Sequence, residues 1–198
     1  PYGEKYALEY GKKLAECGIQ VISGLARGVD GTGQRGALMG GGNTFAVLGS
    51  GADICYPKNH MGLYLDILKH GGGILSELPP GTPPLPQHFP RRNRIISALS
   101  DVVLVIEAKE RSGSLITADL ALEQGKDVYA LPGPVNSSLS QGCNRLIYQG
   151  AGILLSPENL LEEMGVICSI PCEKSDKNEK VLESPEYMVY SCVGLYPK

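Results

Sequence analysis

The sequence predicts an open, mostly parallel, doubly wound α/β sheet with helices on both of its faces. Two observations lead to this fold class: strands alternate with helices along most of the chain, and the strands are short and apolar throughout. Strands that are apolar on both sides are typical of a parallel sheet covered by helices. The clearest strand contains the uninterrupted apolar run 102–106, so we expect that run to lie at the centre of the sheet.

The first helix is predicted over residues 2–17, because Tyr6, Tyr10 and Leu14 recur on one face and Gly18 ends it. The later elements follow in alternation, each bounded by glycine, proline or a polar turn. The predicted strands are 19–23, 44–48, 74–76, 101–107, 127–131 and 152–155, and the further predicted helices are 31–40, 59–69, 91–100, 114–124, 140–149 and 157–164.

Residues 1–166 are therefore predicted to form one domain. From Cys168 to Ser184 charged residues cluster and the apolar periodicity is lost, which predicts a linker over 167–184. We expect residues 185–198 to be the start of a second domain of which the chain contains only this part.

Composition narrows the function classes. The chain of 198 residues has 18 Lys and Arg against 21 Asp and Glu, so its formal net charge is −3. This charge argues against a generally basic nucleic-acid binder but is compatible with a local basic groove. No apolar run approaches the roughly 20 residues that cross a bilayer, and we expect a cytoplasmic protein without membrane contact. The six cysteines form no CxxC pair, which favours reduced thiols over a metal site or a disulfide framework.

Ligands of open parallel sheets bind beyond the carboxyl ends of the strands, and the loops there carry most of the Gly, Pro and Arg clusters. The run 89–96 reads FPRRNRII and places three Arg at a predicted helix start, where free N–H groups and the helix dipole favour anions. Arg91 and Arg94 are candidate phosphate contacts, whereas Arg92 is equally consistent with plain surface. Phe89 is either a stacking platform for a base or a core residue.

A second candidate anion site follows the strand over 101–107. Ser112, Gly113 and Ser114 stand where a helix begins, so that hydroxyl and backbone N–H groups can meet a phosphate. Ser114 can also serve as the cap of that helix, and the two roles are compatible.

Two more loops complete the predicted edge. In the run 23–30, Gly24 and Arg27 are candidate phosphate contacts and Asp30 is a candidate helix cap. The glycines at 31, 33 and 36 match GxGxxG, but they are predicted to lie inside a helix and so do not indicate a dinucleotide site. In the run 49–59, Lys58 supplies a charge near a helix start, and Tyr56 is expected in the core.

Catalytic groups are not predicted. The three histidines form no triad with a nucleophile and a carboxylate, and no GxxxxGK[ST] loop is present. We therefore expect no catalytic residue, no metal and no cofactor.

The chain resembles the DprA/Smf family of bacterial DNA-processing proteins. The runs that carry the resemblance are SGLARGVD (23–30), GSGADICYPKN (49–59), LSELPPGTPP (75–84), FPRRNRII (89–96), RSGSLITA (111–118), ALEQGKDVYALPG (121–133) and SLSQGCNRLI (138–147).

The resemblance implies an extended Rossmann-like fold that binds single-stranded DNA, forms a homodimer and delivers the strand to the RecA recombinase, with a winged-helix domain to follow near Pro185. It implies phosphate or DNA contacts, to which Phe89 is added for stacking, at Gly24, Arg27, Lys58, Arg91, Asn93, Arg94, Ser112, Gly113 and Ser114.

The chain departs from the family pattern in three places. The family's first strand, with a glycine-serine-arginine loop, would precede Pro1. Gly31 to Gln34 replace the family's Thr-Ala-x-His-like residues, and Gln87 and His88 stand where many members have a basic residue.

Two other functions fit the same architecture. One is a nucleotide hydrolase of the lysine-decarboxylase-like (LOG) type, but its PGGxGTxxE signature is absent from the run 111–117. The other is a small-nucleotide sensor, which needs an enclosed pocket where a strand binder needs an open groove.

Overall fold

A computed structural model of the protein describes residues 2–166 and 168, and the backbone of residues 189–193. It confirms an α/β fold in which strands and helices alternate. The strands are β1 (Gln20–Ser23), β2 (Thr44–Val47), β3 (Gly73–Leu75), β4 (Val102–Val105), β5 (Asp127–Ala130), β6 (Gly152–Ile153) and β7 (Val189–Val193). The helices are α1 (Tyr2–Glu16), α2 (Val29–Met39), α3 (Met61–Lys69), α4 (His88–Leu99), α5 (Gly113–Glu123), α6 (Gln141–Tyr148) and α7 (Pro157–Glu163), and a 3₁₀ helix (Lys58–His60) precedes α3.

One parallel sheet organises these elements, with the strand order β3-β2-β1-β7-β4-β5-β6. β4 pairs in parallel with β5 on one side and β7 on the other, so the predicted interior position of this strand is confirmed. All four of its residues are buried, as expected for a strand covered on both faces. No helix among residues 2–166 is long and apolar enough to span a membrane.

The seventh strand, β7, lies in the middle of the sheet. Val189–Val193 pairs in parallel with β1 and with β4. This segment belongs to the stretch 185–198 that was predicted to begin a second domain. Most of the predicted linker over 167–184 lies outside the described residues, and the domain boundaries stay a prediction.

Helices α1 and α2 pack closely because glycines line their contact. A side chain at Gly11 would collide with the carbonyl oxygen of Gly33, and one at Gly36 with that of Leu8. Gly33 and Gly36 thus lie inside α2, as predicted, and serve helix packing. The GxGxxG run is therefore not a nucleotide-binding turn.

Two expectations are corrected. Helix α4 begins at His88, not at residue 91, because the His88 N–H already bonds to the Leu85 carbonyl and proline is accepted in a first helical turn. Cys17 and Cys168 form a disulfide with their Cα atoms 4.9 Å apart, so the expectation of reduced thiols is wrong for this pair. Cys55 and Cys143 are free and buried, and burial raises the pKa of both thiols, that of Cys143 to about 12.

Candidate functional site

A cavity of about 420 Å³ opens at the carboxyl edge of the sheet. Four residues that the sequence singled out line it together, namely Gly24, Arg27, Phe89 and Gly113, and they come from three loops far apart in sequence. The other lining residues are Ala26, Tyr56, Pro57, Pro84, Pro86, Pro90 and Arg92. The volume falls within the range of small-molecule sites and is mostly apolar in its walls.

The aromatic part of the cavity consists of Tyr56 and Phe89. Their ring centroids lie 5.7 Å apart with an angle of 35° between the planes. Phe89 is half-buried and packs over Gly49, where any side chain would collide with its ring. Tyr56 is 38% exposed, so its predicted core position is wrong. Exposed flat rings of this kind accept a stacked base.

The loop after β1 forms another wall and is held by hydrogen bonds at both of its ends. The N–H of Gly24 donates to Asp30 Oδ2 at 3.1 Å, and the carbonyl of Gly24 accepts from Arg92 at 2.8 Å. Asp30 was expected to cap α2, but Gly28 is the N-cap residue and Asp30 lies in the first turn. Arg27 is exposed on this loop and borders the cavity.

Arg92 is the site residue that the sequence reasoning missed. It was expected at the surface, but it is 2% exposed and its Nη1 donates to the carbonyls of Gly24 and Val47. The guanidinium thereby joins α4 to the ends of β1 and β2. A signal was present: Phe89 and Ile96, three residues before and four after Arg92, mark the inner face of this helix.

Asn93 and the serines lie next to this arrangement. Asn93 is buried, and its Nδ2 donates to the Gly113 carbonyl at 3.2 Å, which ties α4 to the start of α5. Ser112 is the N-cap residue of α5, since its Oγ accepts from the N–H of Ser114, so the cap lies two residues earlier than expected. Both serines are buried.

The remaining predicted cations lie outside the cavity. Lys58 and Arg91 are exposed and directly follow two of its lining residues, Pro57 and Pro90. Within residues 2–166 the structure gives no ion pair to Arg27, Lys58 or Arg91. Arg94 differs, because its guanidinium pairs with Glu77. The DNA contacts predicted for these residues stay predictions.

The titratable groups of the described chain are arranged for structure. No group of three His, Cys, Asp or Glu among the described residues could hold a metal ion. The Nδ1 atoms of His60, His70 and His88 all contact backbone carbonyl oxygens, those of Leu25, Asp66 and Gly49.

Fold and site together define a class of protein: a parallel α/β domain with an apolar, cation-bordered cavity beyond the carboxyl ends of its strands. The chain belongs to the family described as DNA recombination-mediator protein A, whose family model matches residues 1–165. This confirms the DprA/Smf resemblance. The chain is 48% identical over 163 residues to Protein Smf of Escherichia coli K12, covering 82% of this chain and 44% of that protein.

Two solved structures share the fold. The X-ray structure of DNA processing protein A from Streptococcus pneumoniae is 44% identical with a TM-score of 0.75, covering 81% of this chain and 56% of that one. DNA processing protein A from Helicobacter pylori, described for its unique single-stranded DNA binding mode, is 32% identical with a TM-score of 0.72, covering 83% and 74%. The chain thus spans 44% and 59% of the length of the curated E. coli and S. pneumoniae relatives.

Proposed function

We propose that this domain binds single-stranded DNA at the carboxyl edge of its sheet and acts in DNA processing during natural transformation. It protects incoming strands and delivers them to the RecA recombinase, and it performs no catalysis itself. Because the chain spans about half the length of its curated relatives, these roles are proposed for the domain as part of that process.

One observation carries the proposal: the Tyr56–Phe89 pair lies in the same cavity as Arg27, next to exposed Lys58 and Arg91. A single strand offers unpaired bases that stack on aromatic rings, and phosphates that attract Arg and Lys. A duplex hides its bases and fits such a cavity poorly. The single-stranded DNA binding described for the H. pylori relative supports the same assignment.

The test is a binding titration with fluorescent oligonucleotides, in which single strands, duplexes and mononucleotides compete over a salt series. We expect single strands to bind most tightly, and log affinity to fall with log salt by about 0.7 per phosphate contact. Mononucleotides that bind as tightly as oligonucleotides would indicate a sensor. Steady release of base or phosphate from a nucleotide would indicate the hydrolase.

We also propose that the domain forms a homodimer through the β6 edge of the sheet. Leu155 is 69% exposed just after this edge strand, and Ile153 within it is exposed as well. An apolar strand edge in this position is a template for pairing with a second copy. Sedimentation should show a dimer that Leu155→Lys converts to a monomer, and a wild-type protein that remains monomeric would contradict it.

RecA delivery has its own measurement. We expect the protein to raise the rate at which RecA filaments assemble on a single strand, and a variant that does not bind DNA to lose this effect. Unchanged assembly rates with a DNA-binding wild-type protein would limit the function to strand binding.

A further inference from the structure

His60 lies behind the cavity wall and does not border the cavity itself. It is the last residue of the 3₁₀ helix, is only 7% exposed, and its Nδ1 lies 3.0 Å from the carbonyl oxygen of Leu25. A carbonyl oxygen only accepts hydrogen bonds, so Nδ1 carries the proton and the neutral ring leaves Nε2 without one.

The partner of this bond, Leu25, has an unusual backbone. Its φ of 56° lies in the left-handed region, which is unfavourable for any residue with a Cβ atom. Its side chain is buried in a cluster with Leu48 and Leu63. Such a conformation persists only where surrounding contacts hold it, and it is most frequent at functional sites.

His60 also packs directly against the start of α2. A Cβ atom placed on Gly31 would lie 2.6 Å from Cε1 of the His60 ring. The imidazole therefore connects two loops: the one after β1, which carries Gly24 and Arg27, and the one after β2, which carries Tyr56. These loops form two walls of the cavity, and their spacing determines whether rings and guanidinium face one ligand.

We propose that His60 is a positioning residue for the nucleic-acid cavity, which keeps the loop 24–28 in its left-handed shape and so presents Arg27 to a phosphate. The inference rests on the proposed function, because it names a residue that shapes the same site without contacting the DNA.

The charges around His60 make the arrangement sensitive to pH. Burial lowers the pKa of the imidazole, the bond to Leu25 raises it, Arg35 and Arg27 lower it, and Asp30 raises it. A phosphate bound near Arg27 offsets the cations and therefore raises the pKa of His60. Binding then takes up a proton, so affinity should increase as the pH falls below neutral.

The binding test compares three variants. In His60→Asn the side-chain amide replaces Nδ1–H as donor to Leu25 but does not titrate, whereas His60→Phe removes the donor. We expect His60→Asn to bind single strands like wild type at pH 8 without the rise at lower pH, and His60→Phe to lose roughly threefold to tenfold, the effect of one hydrogen bond. His70→Asn is the matched control, because His70 makes the same kind of bond to Asp66 at the end of α3.

His60→Phe with wild-type affinity, or His60→Asn with the wild-type pH profile, would overturn the inference. If His60→Phe does not fold, His60→Gln replaces it, since its longer amide does not reproduce the Nδ1 position. A wild-type protein that binds no oligonucleotide would refute the proposed function and leave a separate test of the loop. In that case nitrogen-15 spectra should show a protonated Nδ1 in His60, and Leu25 backbone shifts that move in His60→Gln but not in His60→Asn; unmoved shifts in both would overturn the inference.

Discussion

The carboxyl edge of the sheet has two halves that use their polar groups differently. In the half we term closed, formed by the loops after β4 and β5 with the start of α1, polar groups bond to each other. Glu107 accepts from the N–H of Gly3 at 3.1 Å, the Tyr2 hydroxyl donates to the Pro132 carbonyl at 2.6 Å, and the amide of Asn144 bonds to both backbone groups of Gly133.

In the open half, formed by the loops after β1, β2 and β3, the polar backbone is satisfied but cations and rings are left to the solvent. Arg27 and Lys58 have no ion pair within residues 2–166, and Tyr56 is exposed beside the cavity. A ligand supplies what such a surface lacks, whereas in the closed half it would have to displace internal bonds. The comparison therefore assigns DNA binding to the open half.

The largest expected effect comes from Phe89→Ala. Loss of a stacking ring should weaken binding by roughly 1–3 kcal/mol per stacked base, with the salt slope unchanged because no charge is removed. Tyr2→Ala is the counterpart in the closed half and should leave affinity unchanged. Titrations of both variants at three salt concentrations decide it, with circular dichroism as a check on folding. Equal losses in the two variants would remove the distinction between the halves.

A smaller effect is expected for the exposed cations. Arg27→Ala and Arg91→Ala should each weaken binding to all single strands about equally, and should flatten the salt dependence by about 0.7 for each phosphate that the variant no longer neutralises. Lys109→Ala changes a cation on the loop after β4 and should leave the slope as it is. Unaltered affinity and slope in both Arg variants, with the fold intact, would show that this face is not the DNA site.

Arg94→Ala should have a weaker effect than Arg91→Ala. The guanidinium of Arg94 already pairs with Glu77, so a phosphate has to compete with that carboxylate. Glu77→Gln should accordingly increase affinity, because it frees the cation. The same salt series measures both, and an Arg94→Ala loss that exceeds that of Arg91→Ala would indicate that the ion pair opens on binding.

Much of the open half was predictable because its signals are local. Apolar runs and glycine stops located β1 to β6 within two residues, and Gly24, Arg27, Phe89 and Gly113 were singled out from loops that now line one cavity. The contacts that hold these loops were not predictable, because they join distant segments. The burial of Arg92 depends on which face of α4 meets the sheet, and the Cys17–Cys168 pair is separated by 151 residues.

The smallest expected effect lies in the closed half and concerns stability. Burial raises the pKa of Glu107 above its usual value, and Glu4 adds to this while the Gly3 N–H opposes it. A raised carboxyl pKa means that the folded state favours the protonated form, so the stabilising contribution is present at acidic pH and is lost as the pH rises through the folded-state pKa. At neutral pH the ionised, half-buried carboxylate lowers stability.

Glu107→Gln keeps an oxygen that accepts from Gly3 but removes the charge. The variant should therefore gain stability relative to wild type between acidic and neutral pH, and its DNA affinity should stay unchanged because the closed half does not bind the strand. Urea unfolding midpoints at pH 4 and pH 7, about the two ends of the carboxyl titration, measure the difference. A stability difference that is the same at both pH values would mean that Glu107 ionises freely, and a large loss of affinity would make this carboxylate part of the DNA site.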